Sequence, residues 1–62
     1  MFKKYRELRN YTQMQLAELI NKDVRTIQRI ENEEVTPTLE NFKLLIKILK
    51  ISDKEVLEYL KK

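Results

Sequence analysis

The sequence predicts an all-α domain, a compact bundle of five short helices. Apolar residues recur at intervals of three and four along the whole chain, and no stretch alternates apolar with polar residues as a half-buried strand would. Helix-starting signals punctuate the chain at Thr12 with Gln15, at Asp23, and at Ser52 with Glu55. At 62 residues the chain has room for one domain, residues 1–62, and nearly all of its apolar side chains are needed for a single core.

Each helix has its own justification. Phe2, Tyr5 and Leu8 space a first helix over about residues 2–9, ending at Asn10. Thr12 and Gln15 form a capping box that opens a second helix, with Leu16, Leu19 and Ile20 inward and the small Ala17 beside them. Asn21 suits its exit, because Asn tolerates a left-handed backbone better than any residue but Gly. Asp23 can cap a third helix that turns Ile27 and Ile30 inward. Thr36 and Pro37 mark a loop, with Pro placed where a helix begins. A strongly apolar fourth helix then runs from about Leu39 to Leu49. A second capping box, Ser52 with Glu55, opens a fifth helix carrying Val56, Leu57, Tyr59 and Leu60.

The inventory excludes most chemistry. With neither Cys nor His there is no thiolate, imidazole base or soft metal site, so no metal and no nucleophilic catalytic residue is expected. Without Gly, phosphate-cradling loops and dinucleotide fingerprints are impossible, and no cofactor or small-molecule ligand is expected. Carboxylate hydrolysis is disfavoured because the acids lie beside Lys or Arg, with no aromatic pocket to raise a pKa. The longest apolar run, Leu44, Leu45 and Ile46, is far shorter than a membrane span or a signal-peptide core. A cytoplasmic protein that is not an enzyme is the expectation.

Charge is unevenly spread. Residues 1–30 carry Lys3, Lys4, Arg6, Arg9, Lys22, Arg25 and Arg29 against Glu7, Glu18 and Asp23, whereas residues 31–62 are nearly neutral. A basic half suggests an electrostatic footprint for a polyanion. Helices two and three, joined by about three residues, form the arrangement that seats one helix in a DNA major groove. At about 100° per residue, with Ile27 set to zero, Arg25 falls near 160°, Arg29 near 200° and Gln28 near 100°. Both arginines therefore face away from the core, with Gln28 flanking them and Val24 at the border. Arg can grip guanine, Gln can pair with adenine, and an apolar tip can touch a thymine methyl.

The segments Tyr5–Gln13, Leu16-Ala17-Glu18, Thr26–Asn32 and Pro37–Glu40, in this order and spacing, resemble the Cro and phage-repressor type (XRE-like) helix-turn-helix family. The likeness runs from Phe2 to about Leu57. It implies a lambda-repressor-like bundle of five helices that binds double-stranded operator DNA, usually as a homodimer, and acts mostly as a transcriptional repressor. By position it implies base reading by Val24, Arg25, Gln28 and Arg29, and phosphate contacts from Thr12, Gln13 and Asn32. It further implies a partly buried ion pair between Arg6 and Glu31.

The chain also departs from that family, which favours Gly where this sequence has Asn10, Asn21, Glu33 and Lys50. Asn can take the left-handed backbone at modest cost, but Glu33 and Lys50 are expected to use another turn geometry. Leu8, Ile46 and Ile48 stand where small residues are common, which predicts a tightly filled core. Glu33 and Glu34 place negative charge where a phosphate would lie. Val56, Leu57, Tyr59 and Leu60 cover more of the fifth helix than one core-facing stripe requires, so that helix is the candidate dimer contact. The competing reading packs all four within the monomer. The alternative function is a protein-interaction module on the same scaffold, an antitoxin or an adaptor, which would want a neutral or apolar outer face on helix three.

Overall fold

The computed structural model describes residues 1–61, and among these all regular structure is helical: α1 Phe2–Leu8, α2 Gln13–Leu19, α3 Val24–Glu31, α4 Leu39–Leu49 and α5 Asp53–Leu60. Residues from α1 to the α4–α5 turn build one core: Phe2, Leu16, Ala17, Ile20, Ile27, Ile30, Leu45, Leu49 and Ile51 are all buried. Val56 and Tyr59 of α5 pack on it from outside. An aromatic triad joins the ends of the chain. Phe2 meets Phe42 and Tyr59 edge-on with ring centroids 5.8 and 5.9 Å apart, and Phe42 stacks on Tyr59 at 6.2 Å. Such geometry adds to the burial of the rings by matching ring edges to ring faces.

The helix starts follow the capping signals. Thr12 Oγ1 accepts from the Gln15 N–H, and Gln15 Oε1 accepts from the Thr12 N–H, so both arms of the box are present. Asp23 caps α3. Ser52 accepts from the Glu55 N–H at 3.3 Å, but the reciprocal arm of the expected box is absent. Thr38, not Pro37, starts α4, accepting from the Asn41 N–H at 3.2 Å. Pro37 lies one residue before the cap.

Two apolar residues placed inward by periodicity are exposed. Leu19 is 51% exposed because the buried pair Leu16 and Ala17 rotates the inner stripe of α2 toward Ile20 and away from Leu19. Leu8 is 59% exposed and fills no core. Each three-residue step falls about 60° short of a full turn, so Leu8 lies about 120° around α1 from Phe2. Ile46 and Ile48 are half-buried against the core.

The four turns expected to divide into two kinds are of one kind. Asn10, Asn21, Glu33 and Lys50 all adopt left-handed backbone, with φ of 63, 57, 60 and 54°. The expectation that Glu33 and Lys50 would avoid this geometry is overturned by the hydrogen bonds that it makes. At each helix end two N–H groups return to orphan carbonyls, as in Asn10 N–H to Glu7 O with Tyr11 N–H to Arg6 O, or Glu33 N–H to Ile30 O with Glu34 N–H to Arg29 O. After α4, Lys50 N–H reaches Lys47 O and Ile51 N–H reaches Ile46 O, which also brings Ile51 into the core. This turn has a further support. Arg9 Nε donates to Leu49 O at 2.8 Å and Arg9 Nη2 to Lys50 O at 3.1 Å, closing the end of α4 from the end of α1.

A side chain with a Cβ costs about 1–2 kcal/mol in this backbone region, whereas Gly is at ease there. Less the extra freedom that Gly brings to the unfolded chain, Glu33→Gly and Lys50→Gly should each stabilise by about 0.5–1 kcal/mol, or raise Tm by about 2–8 °C. Thermal unfolding followed by circular dichroism measures it. An unchanged or lowered Tm in both variants would show that the backbone strain is relieved elsewhere.

Candidate nucleic-acid interface

The interface begins with the anchoring of α3. Ile27 and Ile30 hold its inner face in the core, which turns Arg25, Gln28 and Arg29 outward to solvent and leaves Val24 half-buried at the border. The connection from α2, residues 20–23, carries the left-handed Asn21 and ends on the Asp23 cap. Asp23 Oδ1 accepts from the Thr26 N–H at 3.0 Å and from the Thr26 hydroxyl at 2.9 Å. The backbone bond, then the hydroxyl bond, holds this carboxyl below the usual carboxylate range. Burial opposes that shift weakly and the Arg25 charge adds to it.

The far end of α3 is fixed by charge. Arg6 of α1 donates from Nε to Glu31 Oε2 at 2.6 Å and from Nη2 to Glu31 Oε1 at 3.2 Å, while its Nη1 donates to Tyr11 O at 2.9 Å. The Glu31 side chain is 3% exposed and that of Arg6 12%. Hydrogen bonding to Glu31 raises the Arg6 pKa, against the opposing effect of burial, so the guanidinium stays charged. Two parallel N–H···O bonds between guanidinium and carboxylate fix orientation as well as distance. Gln13, the first residue of α2, joins them through Nε2 to Glu31 Oε1 at 3.0 Å. Gln28 Nε2 lies 3.5 Å from Gln13 Oε1, a long and weak contact. One network thus ties the start of α2, the end of α3 and α1 together.

The other residues singled out in the sequence are placed as follows. Thr12 is exposed at the cap of α2. Asn32 is exposed just past α3, where its N–H donates to Gln28 O, and Glu33 and Glu34 follow it, both exposed. On α5 the four apolar residues divide. Val56 and Tyr59 pack inward, whereas Leu57 is 58% and Leu60 62% exposed, so packing of all four within the monomer is ruled out. Leu60 lines an open groove of about 370 Å³ together with Ile30, Glu33, Val35, Thr36 and Tyr59. No local signal in the sequence links Arg9 to a turn forty residues away.

Among the described residues no helix is long and apolar enough to cross a membrane. Among curated proteins and among solved structures nothing matches the chain. The sequence model of the helix-turn-helix family matches residues 2–56, which takes in all of α1 to α4, the Arg6–Glu31 pair and the outward row of α3. The chain belongs to the helix-turn-helix family of the XRE type, a family of DNA-binding transcription regulators.

Proposed function

We propose that this protein is a sequence-specific repressor that binds a palindromic operator as a homodimer, with α3 in the major groove, and blocks access to a promoter. The observation that carries this reading is the outer face of α3, where Arg25, Gln28 and Arg29 stand exposed on a helix whose other side is locked into the core. In this reading Val24, Arg25, Gln28 and Arg29 read base edges. Thr12, Gln13 and Asn32 hold phosphates beside the groove. Gln13 has a second N–H on Nε2 beyond the one given to Glu31, and it stands at a helix start, where backbone N–H groups favour anions. Glu33 and Glu34 confine the contact near Asn32 to that residue by repelling phosphate farther along the loop.

One copy of so small a domain makes few phosphate contacts, and two copies on half-sites one helical turn apart meet that need. The exposed Leu57 and Leu60, the latter lining the groove, are the apolar surface such a pair would cover. Val56 and Tyr59 support that face from beneath. The protein-interaction alternative fits less well, because an outer face with two arginines is costly to bury against protein.

Selection of binding sites from random duplex DNA tests the reading and should return a palindrome. On that site Arg25→Ala and Arg29→Ala should each lose about 1–3 kcal/mol of binding and relax one base preference, while Gln13→Ala weakens all sequences alike. Binding should fall steeply with salt as counterions are released. Equal losses on selected and random DNA for all three variants would remove the base-reading assignment. No enrichment would favour the protein-interaction module.

A further inference from the structure

We propose that Asp23 is itself a base-reading residue, selecting cytosine at the base pair nearest the tip of α3. The inference rests on the reading of α3 as the helix that enters the groove, and it adds a specificity determinant to that face. Asp23 directly precedes Val24 and is exposed. In a recognition helix the N-terminal residues approach base edges most closely.

The capping geometry leaves the carboxylate half committed. Both Thr26 bonds fall on Oδ1, so one oxygen anchors the side chain while Oδ2 keeps its lone pairs. An anchored side chain has little rotamer freedom left to lose on binding. Like any exposed aspartate the group is ionised at neutral pH, with these bonds pushing its pKa further down, and it can only accept hydrogen bonds.

An acceptor that cannot donate discriminates sharply among major-groove edges. Guanine presents N7 and O6, and thymine presents O4, all acceptors that repel a carboxylate. Adenine offers an amino group, but beside the acceptor N7. Cytosine offers its N4 amino group with only C5–H on the near side and the paired guanine O6 on the far side, whereas the adenine amino group is flanked by acceptors on both sides, and cytosine is the base that Asp and Glu pair with in the major groove. The charge also acts against indiscriminate binding. On an outer face otherwise marked by Arg25 and Arg29, with Lys22 just before it, a carboxylate weakens attraction to every phosphate alike. Only a sequence that supplies a donor to Oδ2 compensates.

A purely structural cap would not distinguish Asp from Asn, which caps helices equally well. The test therefore uses the intact chain and Asp23→Asn, with circular dichroism showing that both melt alike. Binding sites are selected from random duplex DNA with each protein. Fluorescence anisotropy then measures binding to the wild-type site, to the same site with each other base at the selected position, and to random duplex. Wild type should demand cytosine at one position per half-site, with about a 10- to 100-fold loss for other bases, the scale of a good base contact. Asp23→Asn should lose at least ten-fold of that discrimination and bind random duplex at least as tightly as wild type. A motif unchanged in Asp23→Asn overturns the inference and leaves the base-reading role of α3 standing. Failure of wild type to enrich any motif overturns both.

Discussion

Arg6→Ala should remove about 3–5 kcal/mol, a large share of the stability of so small a domain. The Glu31 carboxylate, nearly sealed from solvent, would keep only the Gln13 N–H, since both of its bonds from Arg6 vanish. Leaving one member of a buried pair without its partner costs about 3–5 kcal/mol. A domain of this length has a total stability of about 3–9 kcal/mol, from about 0.05–0.15 kcal/mol per residue. Tyr11 O loses its donor as well, which loosens the turn between α1 and α2. Denaturant titration of wild type, Arg6→Ala, Glu31→Leu and the double variant Arg6→Met with Glu31→Leu provides the check. The double variant should recover most of the loss, because an apolar pair of similar volume leaves no charge stranded. Were Arg6→Ala to lose less than 1 kcal/mol, the pair would be no more than a surface ion pair in its energetics.

Arg9→Ala should cost about 2–3 kcal/mol, although Arg9 lies outside both the core and the outer face of α3. Its guanidinium supplies two charge-assisted bonds to the last carbonyls of α4, where the helix dipole is negative. Those bonds stabilise a turn that has a lysine in left-handed backbone and delivers Ile51 to the core. Arg9→Lys should recover only part of the loss, since one ammonium cannot span both carbonyls as the forked guanidinium does. Amide hydrogen exchange at Lys50 and Ile51 should quicken in Arg9→Ala more than exchange at the capped start of α2. Uniform quickening would mean that Arg9 acts on global stability alone.

The helices themselves were legible because their evidence is local. Caps at Thr12, Asp23 and Ser52 and the run Leu39–Leu49 set starts and lengths to within a residue or two. The outward angles of Arg25, Gln28 and Arg29 follow from helix geometry once Ile27 and Ile30 are taken as core. Leu8 and Leu19 were misplaced because a three-residue spacing drifts around a helix and a small buried residue such as Ala17 can steer the stripe. The turns at Glu33 and Lys50 differ from the sequence expectation because the hydrogen bonds that return to the helix ends offset the local cost of left-handed backbone. Arg9 and the Gln13 side chain were illegible in their roles, since their partners are decided by how distant helices dock. Of the interface, the residue types and their outward face could be read, whereas the tie from Gln13 to Glu31 could not.

The two arginines of α1 give the chain a schedule. Arg6 is completed by Glu31 and Arg9 by Leu49 and Lys50, at sequence separations of 25, 40 and 41. During synthesis at about 5–20 residues per second, α1 is made before any of these partners: Arg6 waits for residue 31, and Arg9 for residues 49 and 50. Until then α1 is too short to persist alone, being about half the length at which an isolated helix becomes even marginal in water. The α2–α3 pair can form meanwhile from neighbouring segments. The first of the five helices to be made is thus the last to be secured: Arg6 can dock on the end of α3 once residue 31 has emerged, whereas Arg9 closes the end of α4 only after residues 49 and 50 have followed.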